Sequence, residues 1–291
     1  MKKFFAVFVC AFPLTLNAQI RASEIGTMSQ IVDGTKITME YSRPRARGRD
    51  TLFGKSDRNW GVTWTPGANY ATTLQVSKSI KLDGHVIPKR KYSVWFVLKN
   101  ATEWTMVLDT NSHLFHEDRP DSSAQQIRFP VKIASAPFTE VLTWSMPALR
   151  ITGGDLVFQW ERARLALNVE VEPSLVMTLP AADAVPYLGR YTYSEIDVKG
   201  KVTEGKTFII THESGYLRAR WEPEDPYFQK VAMVRIAPDW FAPAVYDKSG
   251  VIYEVLRPDM TFEFTRKNGK AESFVVRYDN DDIGAKARRI P

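Results

Sequence analysis

Tyr92-Ser93-Val94-Trp95-Phe96-Val97-Leu98, then Lys99-Asn100-Ala101-Thr102-Glu103, then Trp104-Thr105-Met106-Val107-Leu108 is the stretch on which the fold class turns. The first run is apolar at nearly every position, which suits a central strand packed on both faces. The polar gap after it is of hairpin length, and a second apolar run follows. Outward from this pair the pattern becomes two-residue alternation. Ile37, Met39 and Tyr41 alternate with polar neighbours, as do Leu165, Leu167, Val169 and Val171, so each run has one buried and one wet face. Asp33-Gly34, Asp83-Gly84 and Asn268-Gly269 are two-residue turns that need positive φ, each between strand-like runs. No amphipathic helix of three turns is found, and Pro180 to Val185 offers a turn or two at most. The class is all-β.

The β pattern stops near Glu172-Pro173-Ser174 and resumes at Tyr187, after a segment holding Pro173, Pro180 and Pro186. Strand-like runs then recur at Thr207–Thr211, Tyr216–Trp221, Val231–Ile236, Ile252–Leu256, Thr261–Arg266 and Ser273–Tyr278. That spacing suits a smaller barrel or sandwich. The expected organisation is a leader over 1–18, a first β domain over 19–173, a linker over 174–186 and a second β domain over 187–291.

The leader is read from Lys2 and Lys3, the apolar run Phe4 to Phe12, and the small-residue site Leu16-Asn17-Ala18. This is the layout of a cleavable secretory signal, and the run is far shorter than the roughly 20 residues of a membrane span. The expected location is exported, periplasmic or extracellular, with a mature start near Gln19 and no transmembrane segment after cleavage. Cys10 is the one cysteine of the 291-residue chain, so the mature protein would hold together by packing and without disulfides. The net charge of +6 becomes +4 without Lys2 and Lys3, a balance that gives no reason to expect a nucleic-acid partner.

Tyr41-Ser42-Arg43-Pro44, Arg47-Gly48-Arg49 and Trp64-Thr65-Pro66-Gly67-Ala68-Asn69 with Thr72-Thr73 resemble the bacterial domain-of-unknown-function family DUF2911. Lys91-Tyr92-Ser93, Glu103 to Val107 and Gln126-Ile127-Arg128 fit the same family, and the likeness runs over about 22–172. The resemblance implies an exported antiparallel β-sandwich and no assigned activity. Many members carry Arg after the motif tryptophan and Glu after its asparagine; here Thr65 and Tyr70 stand there. Tyr187-Leu188-Gly189-Arg190-Tyr191, with Thr261 to Arg266 and Asn268-Gly269-Lys270, looks like the small lipocalin-like β domain appended to exported serine hydrolases, where it does not carry the chemistry.

Three groups of residues carry candidate chemistry. Arg43, Arg47 and Arg49, with Trp64 and Asn69 a short way on, combine forked cations, a flat aromatic face and an amide, the parts of a site for a polar or anionic small molecule. The competing reading is a loop pinned internally by its arginines, with Trp64 in the core and Gly67-Ala68-Asn69 a tight turn. His113 and His116, near Glu117, Asp118 and Asp121, have zinc-ligand spacing but no third histidine close by. No Gly-x-Ser-x-Gly elbow and no serine–lysine pair occurs, and Asp279 to Gly284 departs from a calcium loop at Ile283. Lys248-Ser249-Gly250 is read as a turn.

The leading expectation is therefore a non-enzymatic exported module that binds a small polar or anionic ligand, a glycan or an envelope protein, with no cofactor. A hydrolase or isomerase using His116 and nearby carboxylates is the alternative from another class. A structural envelope component is the third.

Overall fold

The computed structural model describes residues 22–49, 51–56, 58–225, 229–256 and 259–291. The leader read at 1–18 lies outside them. The first eleven strands are β1 (Glu24–Val32), β2 (Thr35–Arg43), β3 (Thr63–Trp64), β4 (Thr73–Val76), β5 (Ile80–Leu82), β6 (His85–Ile87), β7 (Lys91–Leu98), β8 (Glu103–Asp109), β9 (Ile127–Lys132), β10 (Ala134–Arg150) and β11 (Gly153–Val171). One sheet runs β1-β2-β4-β7-β8-β9 with β3 beside β7, and a second runs β10-β11-β5-β6. Strand pairing is antiparallel, as in Leu98 opposite Trp104 across the β7–β8 hairpin. The three expected turns form with positive φ at Asp33, Asp83 and Asn268 and at the glycine after each.

Alternation decides which side chains meet between the sheets. Ile37, Met39 and Tyr41 from β2 and Leu165, Leu167, Val169 and Val171 from β11 enter one core. Its centre is aromatic, with Trp64, Phe96, Trp104, Trp144, Phe158 and Trp160 mutually packed. β7 is apolar on its other face as well, because Trp95 lies outside this core beneath Ala71, Val107 and Leu114. In β11 the buried positions change parity at Glu161, which has φ of 54° and lies at a register shift opposite Thr139. That bulge turns one long strand so that both its halves face the core. β9 is an edge strand carrying Pro130, a place where a missing N–H is tolerated.

After α1 (Ala181–Ala184) come β12 (Gly189–Ile196), β13 (Val202–Glu213), β14 (Tyr216–Glu222), β15 (Lys230–Ala237), β16 (Trp240–Tyr246), β17 (Ile252–Val255), β18 (Met260–Lys267), β19 (Lys270–Tyr278) and β20 (Ile283–Arg289). They form a closed eight-stranded antiparallel barrel, β12-β13-β14-β15-β16-β18-β19-β20, with β20 returning to β12 and β17 attached to β16. Of the two forms the spacing allowed, the barrel is the one found. Two of its strands, β16 and β20, were not legible as strands. Pro243 interrupts β16 where that strand changes partner from β18 to β17. In β20 the inward positions are Ala285 and Ala287, too small to give an apolar signal.

The barrel interior is filled by its own core: Tyr187, Tyr191, Phe241, Phe264 and Phe274 toward one end, then Phe208 and Phe262. Tyr187 donates to Asp239 Oδ1 at 2.6 Å and Tyr191 to the Tyr187 carbonyl at 2.7 Å. Burial, reinforced by the bond to Asp239, pushes the Tyr187 phenol up to about 12. Burial also takes Tyr191 up to about 12, against the opposing pull of Arg289, and raises Tyr193. An unfolded tyrosine ionises near 10. Between 10 and 12 the folded chain therefore holds protons that the unfolded chain has lost, so the stability these tyrosines contribute is fully present below about pH 10 and is lost as pH rises toward 12. Phenolate absorbance at 295 nm should rise for these tyrosines only as near-ultraviolet circular dichroism collapses. Ordinary titration near pH 10 in a still-folded protein would contradict this packing.

Candidate functional site

The arginine loop is held from within. Pro44, Arg45 and Ala46 lie along β10, with backbone bonds from Leu142 N to the Pro44 carbonyl and from Ala46 N to the Glu140 carbonyl. Arg43 donates through Nε to the Leu142 carbonyl at 3.3 Å and through Nη2 to Thr143 Oγ1 at 3.0 Å. Arg49 donates to the Ala46 and Arg45 carbonyls at 2.7 and 2.9 Å. Arg47 has φ of 55°, its N–H donates to Glu140 Oε1 at 2.9 Å, and its Nη2 reaches the Ala22 carbonyl at 3.3 Å. Of these five guanidinium bonds, four go to backbone carbonyls and one to the Thr143 hydroxyl.

Trp64 is 7% exposed and stacks on Trp160 at 5.9 Å inside the sandwich core, so its face is turned to protein. Asn69 has φ of 61°, donates to Ser42 Oγ at 3.3 Å, and its carbonyl accepts the His116 N–H at 2.8 Å. The His116 Nδ1 lies 3.0 Å from the same carbonyl, while its Nε2 is 3.8 Å from Glu117. His113 stacks on the exposed Tyr70 at 4.7 Å. Among the described residues no three His, Cys, Asp or Glu side chains gather as a metal site would require.

The barrel supplies a different site. At the end away from Tyr187, the core gives way to a cavity of about 360 Å³, within the size range of small-molecule pockets. Tyr193, Trp221, Met260, Phe262, Val276 and Tyr278 are among its walls. β14 alternates Leu217, Ala219 and Trp221 inward, which brings the indole to this end. Trp221 is 5% exposed, and its buried Nε1–H finds no hydrogen-bond acceptor among the described residues. It faces the Tyr193 hydroxyl without the geometry of a hydrogen bond. A buried unpaired donor costs about 1–3 kcal/mol, a cost that an acceptor inside the cavity would remove.

The rim is charged. Lys206 Nζ bridges Glu195 Oε1 and Asp225 Oδ2, each at 2.7 Å, and both carboxylates border the cavity. Burial alone would lower the Lys206 pKa, but its bonds to Asp225 and Glu195 outweigh that and raise it. Asp197, also at the rim, is occupied by the turn N–H groups of Lys199 and Lys201. The rim thus sets two carboxylates, Glu195 and Asp225, against one ammonium, Lys206.

Neither Trp221 nor Lys206 was singled out from the sequence. A tryptophan at an inward strand position reads as ordinary core, and the carboxylate partners of Lys206 come from separate strands and turns.

A family model described as a protein of unknown function (DUF2911) matches residues 23–169. The match spans the sandwich and none of the barrel strands. No curated protein and no solved structure matches the chain.

Proposed function

The chain belongs to the DUF2911 family, to which no activity is attached, and we propose that it is an exported, non-enzymatic binding protein for a small polar ligand with a flat apolar body. The observation that carries this reading is the barrel-end cavity with the buried, unpartnered Trp221 N–H in its wall. The apolar body lies between Trp221, Phe262 and Met260, and an oxygen acceptor on it takes the indole proton. A polar or weakly basic head stays at the Glu195–Lys206–Asp225 rim, whose net negative charge disfavours an anion. Export rests on the leader pattern around Lys2, Lys3 and the apolar run after them.

The earlier ligand grouping of Arg43, Arg47, Arg49, Trp64 and Asn69 has less in its favour, since Arg43 and Arg49 each direct two donors to the protein and Trp64 is core. A His116 hydrolase has less still: that ring is partly exposed on a loop and its Nδ1 is held at the Asn69 carbonyl.

Fluorescence of the neutral probe N-phenyl-1-naphthylamine tests the pocket. Wild type should enhance it saturably at one site per chain. Met260→Trp, which fills the cavity, should abolish the enhancement while the melting transition is kept, and Trp221→Phe should weaken binding of acceptor-bearing aromatic ligands by about tenfold. Equal probe binding by wild type and Met260→Trp, or none by either, would remove the reading and leave a structural envelope role in its place.

A further inference from the structure

Arg218 lies on the outer face of the barrel, between the inward Leu217 and Ala219, yet it is only 7% exposed. Its cover comes from two sides, and the third opens on a cleft. Tyr216 and Tyr246 lie under the guanidinium, with ring centroids 4.6 and 3.8 Å from Cζ. The turn Asp247 to Val251 closes over it, and Nη2 donates to the Gly250 carbonyl at 2.8 Å. The third side is a cleft of about 890 Å³ between this face and the tip of the β10–β11 hairpin, Leu149 to Thr152. No carboxylate pairs with Arg218 among the described residues, and its buried Nη1 has no acceptor.

An arginine is never neutral in a protein, so this is a buried positive charge without a counter-charge in contact. Burying an unpaired ion costs several kcal/mol. Cation–π contacts with two tyrosines offset a part of that and leave the Nη1 donors unmet. Other charges around the cleft do not supply the missing anion. Arg150 is satisfied by Asp155, Asn168 and the Gly154 carbonyl. Two carboxylates lie nearby without pairing with the guanidinium: Glu213, which lines the cleft and accepts from Thr211, and Asp247, which accepts from Ser249 within its own turn. Lys230 Nζ, 4.9 Å from the Tyr246 ring centroid, adds a second positive charge.

We propose that the cleft beside Arg218 is an oxyanion site, taking the carboxylate or phosphate group of a small molecule separate from the ligand in the barrel. The Gly250 carbonyl uses one of the two Nη2 protons. The other lies alongside the Nη1 pair and completes an end-on fork that matches two oxygens of one anion. Anion binding at this edge requires the guanidinium to rotate, which brings the edge from its covered position into the cleft that Arg218 lines. The body of the ligand then lies against the tyrosine-walled side of the cleft, in contact with the hairpin tip of the sandwich. Occupancy would thus brace the barrel against the sandwich.

The test compares full-length wild type with Arg218→Met and Arg218→Lys in thermal melts with inorganic phosphate or glucuronate, against sodium chloride at matched ionic strength. Wild type should be stabilised saturably beyond chloride by at least one of the two anions, and which one responds tells phosphate from carboxylate chemistry. Arg218→Lys, which keeps the charge and loses the fork, should weaken the response by about tenfold or more. Arg218→Met should lose it and, without anion, melt no lower than wild type, because an unpaired buried charge has been removed. No stabilisation beyond chloride, or one that persists in both variants, overturns the proposal. So does an Arg218→Met protein that is destabilised alongside an anion-indifferent wild type, since Arg218 would then only clasp the Gly250 turn. Probe binding in the barrel is read separately, so either site can fail alone.

Discussion

Phe208→Ala should cost the barrel about 3–5 kcal/mol and leave the sandwich folded. Phe208 is fully buried on β13, with the rings of Trp221, Phe274, Phe262 and Tyr193 at 4.9, 5.2, 5.6 and 5.7 Å. Truncation removes its apolar transfer energy and leaves a void whose aromatic walls are too large to collapse into it. Set against the 5–15 kcal/mol that holds a typical domain together, a loss of that size unfolds a marginal barrel. The sandwich core contains no residue beyond Val171 and the barrel core none before Leu179. A smaller cluster joins the two, in which Ile151, Leu175 and Met177 pack on Ala232, Val234, Ala244 and Ile252 from the outer barrel face. We therefore expect two denaturant transitions in the full chain, with only the barrel's moved by Phe208→Ala. The unmoved one should coincide with that of residues 19–173 expressed alone. A single transition that shifts as a whole, or a 19–173 fragment that only aggregates, would mean that the linking cluster makes one folding unit of both.

The parts of this fold legible in the sequence are those where alternation and turn chemistry agree. β2, β7, β8 and β11 announce themselves because large apolar residues fall at most inward positions, and the Asp-Gly and Asn-Gly turns between strands have few other conformations to adopt. β20 hides because its inward residues, Ala285 and Ala287, are small, and Gly284 before them lies so close to Tyr278 that a Cβ there would come within 2.2 Å of the ring. The small residues that solve that packing problem erase the strand signal. The candidate sites were less legible for a similar reason. The arginines after Tyr41 stand out in one dimension, yet the Leu142 carbonyl and Thr143 hydroxyl of β10, about a hundred residues away, accept from Arg43. Arg218 looks like any outward strand arginine until the Tyr216 and Tyr246 rings and the Asp247 to Val251 turn bury it. What sets it apart is a missing partner, and a missing partner is invisible without the third dimension.

Arg289→Met should destabilise the barrel by roughly 2–4 kcal/mol, the second-largest single effect we expect. This guanidinium, on the last strand, joins three carbonyls and a hydroxyl: Nε donates to Ala271, Nη1 to Leu188 at 2.6 Å, and Nη2 to Pro186 at 2.8 Å and to Tyr191 Oη at 2.6 Å. It also lies over the Tyr191 ring, 4.8 Å from the centroid. Gly189 gives it room, since a Cβ there would come within 2.6 Å of Nη1, and its φ of 139° is one that glycine favours. Arg289 thus fastens β20 to the segment that enters β12, the seam at which the barrel closes. Methionine keeps much of the stem volume and removes every donor, leaving acceptors in a part-buried seam that water reaches poorly. Lysine can satisfy only some of them and should recover part of the loss. A second readout separates this role from simple packing. Arg289 pulls the Tyr191 phenol down against the stronger effect of burial. In a folded Arg289→Met protein, Tyr191 should therefore hold its proton to still higher pH, while the alkaline unfolding midpoint falls because the barrel itself is weaker. A variant as stable as wild type, with unchanged tyrosine titration, would show that strand pairing alone closes the seam.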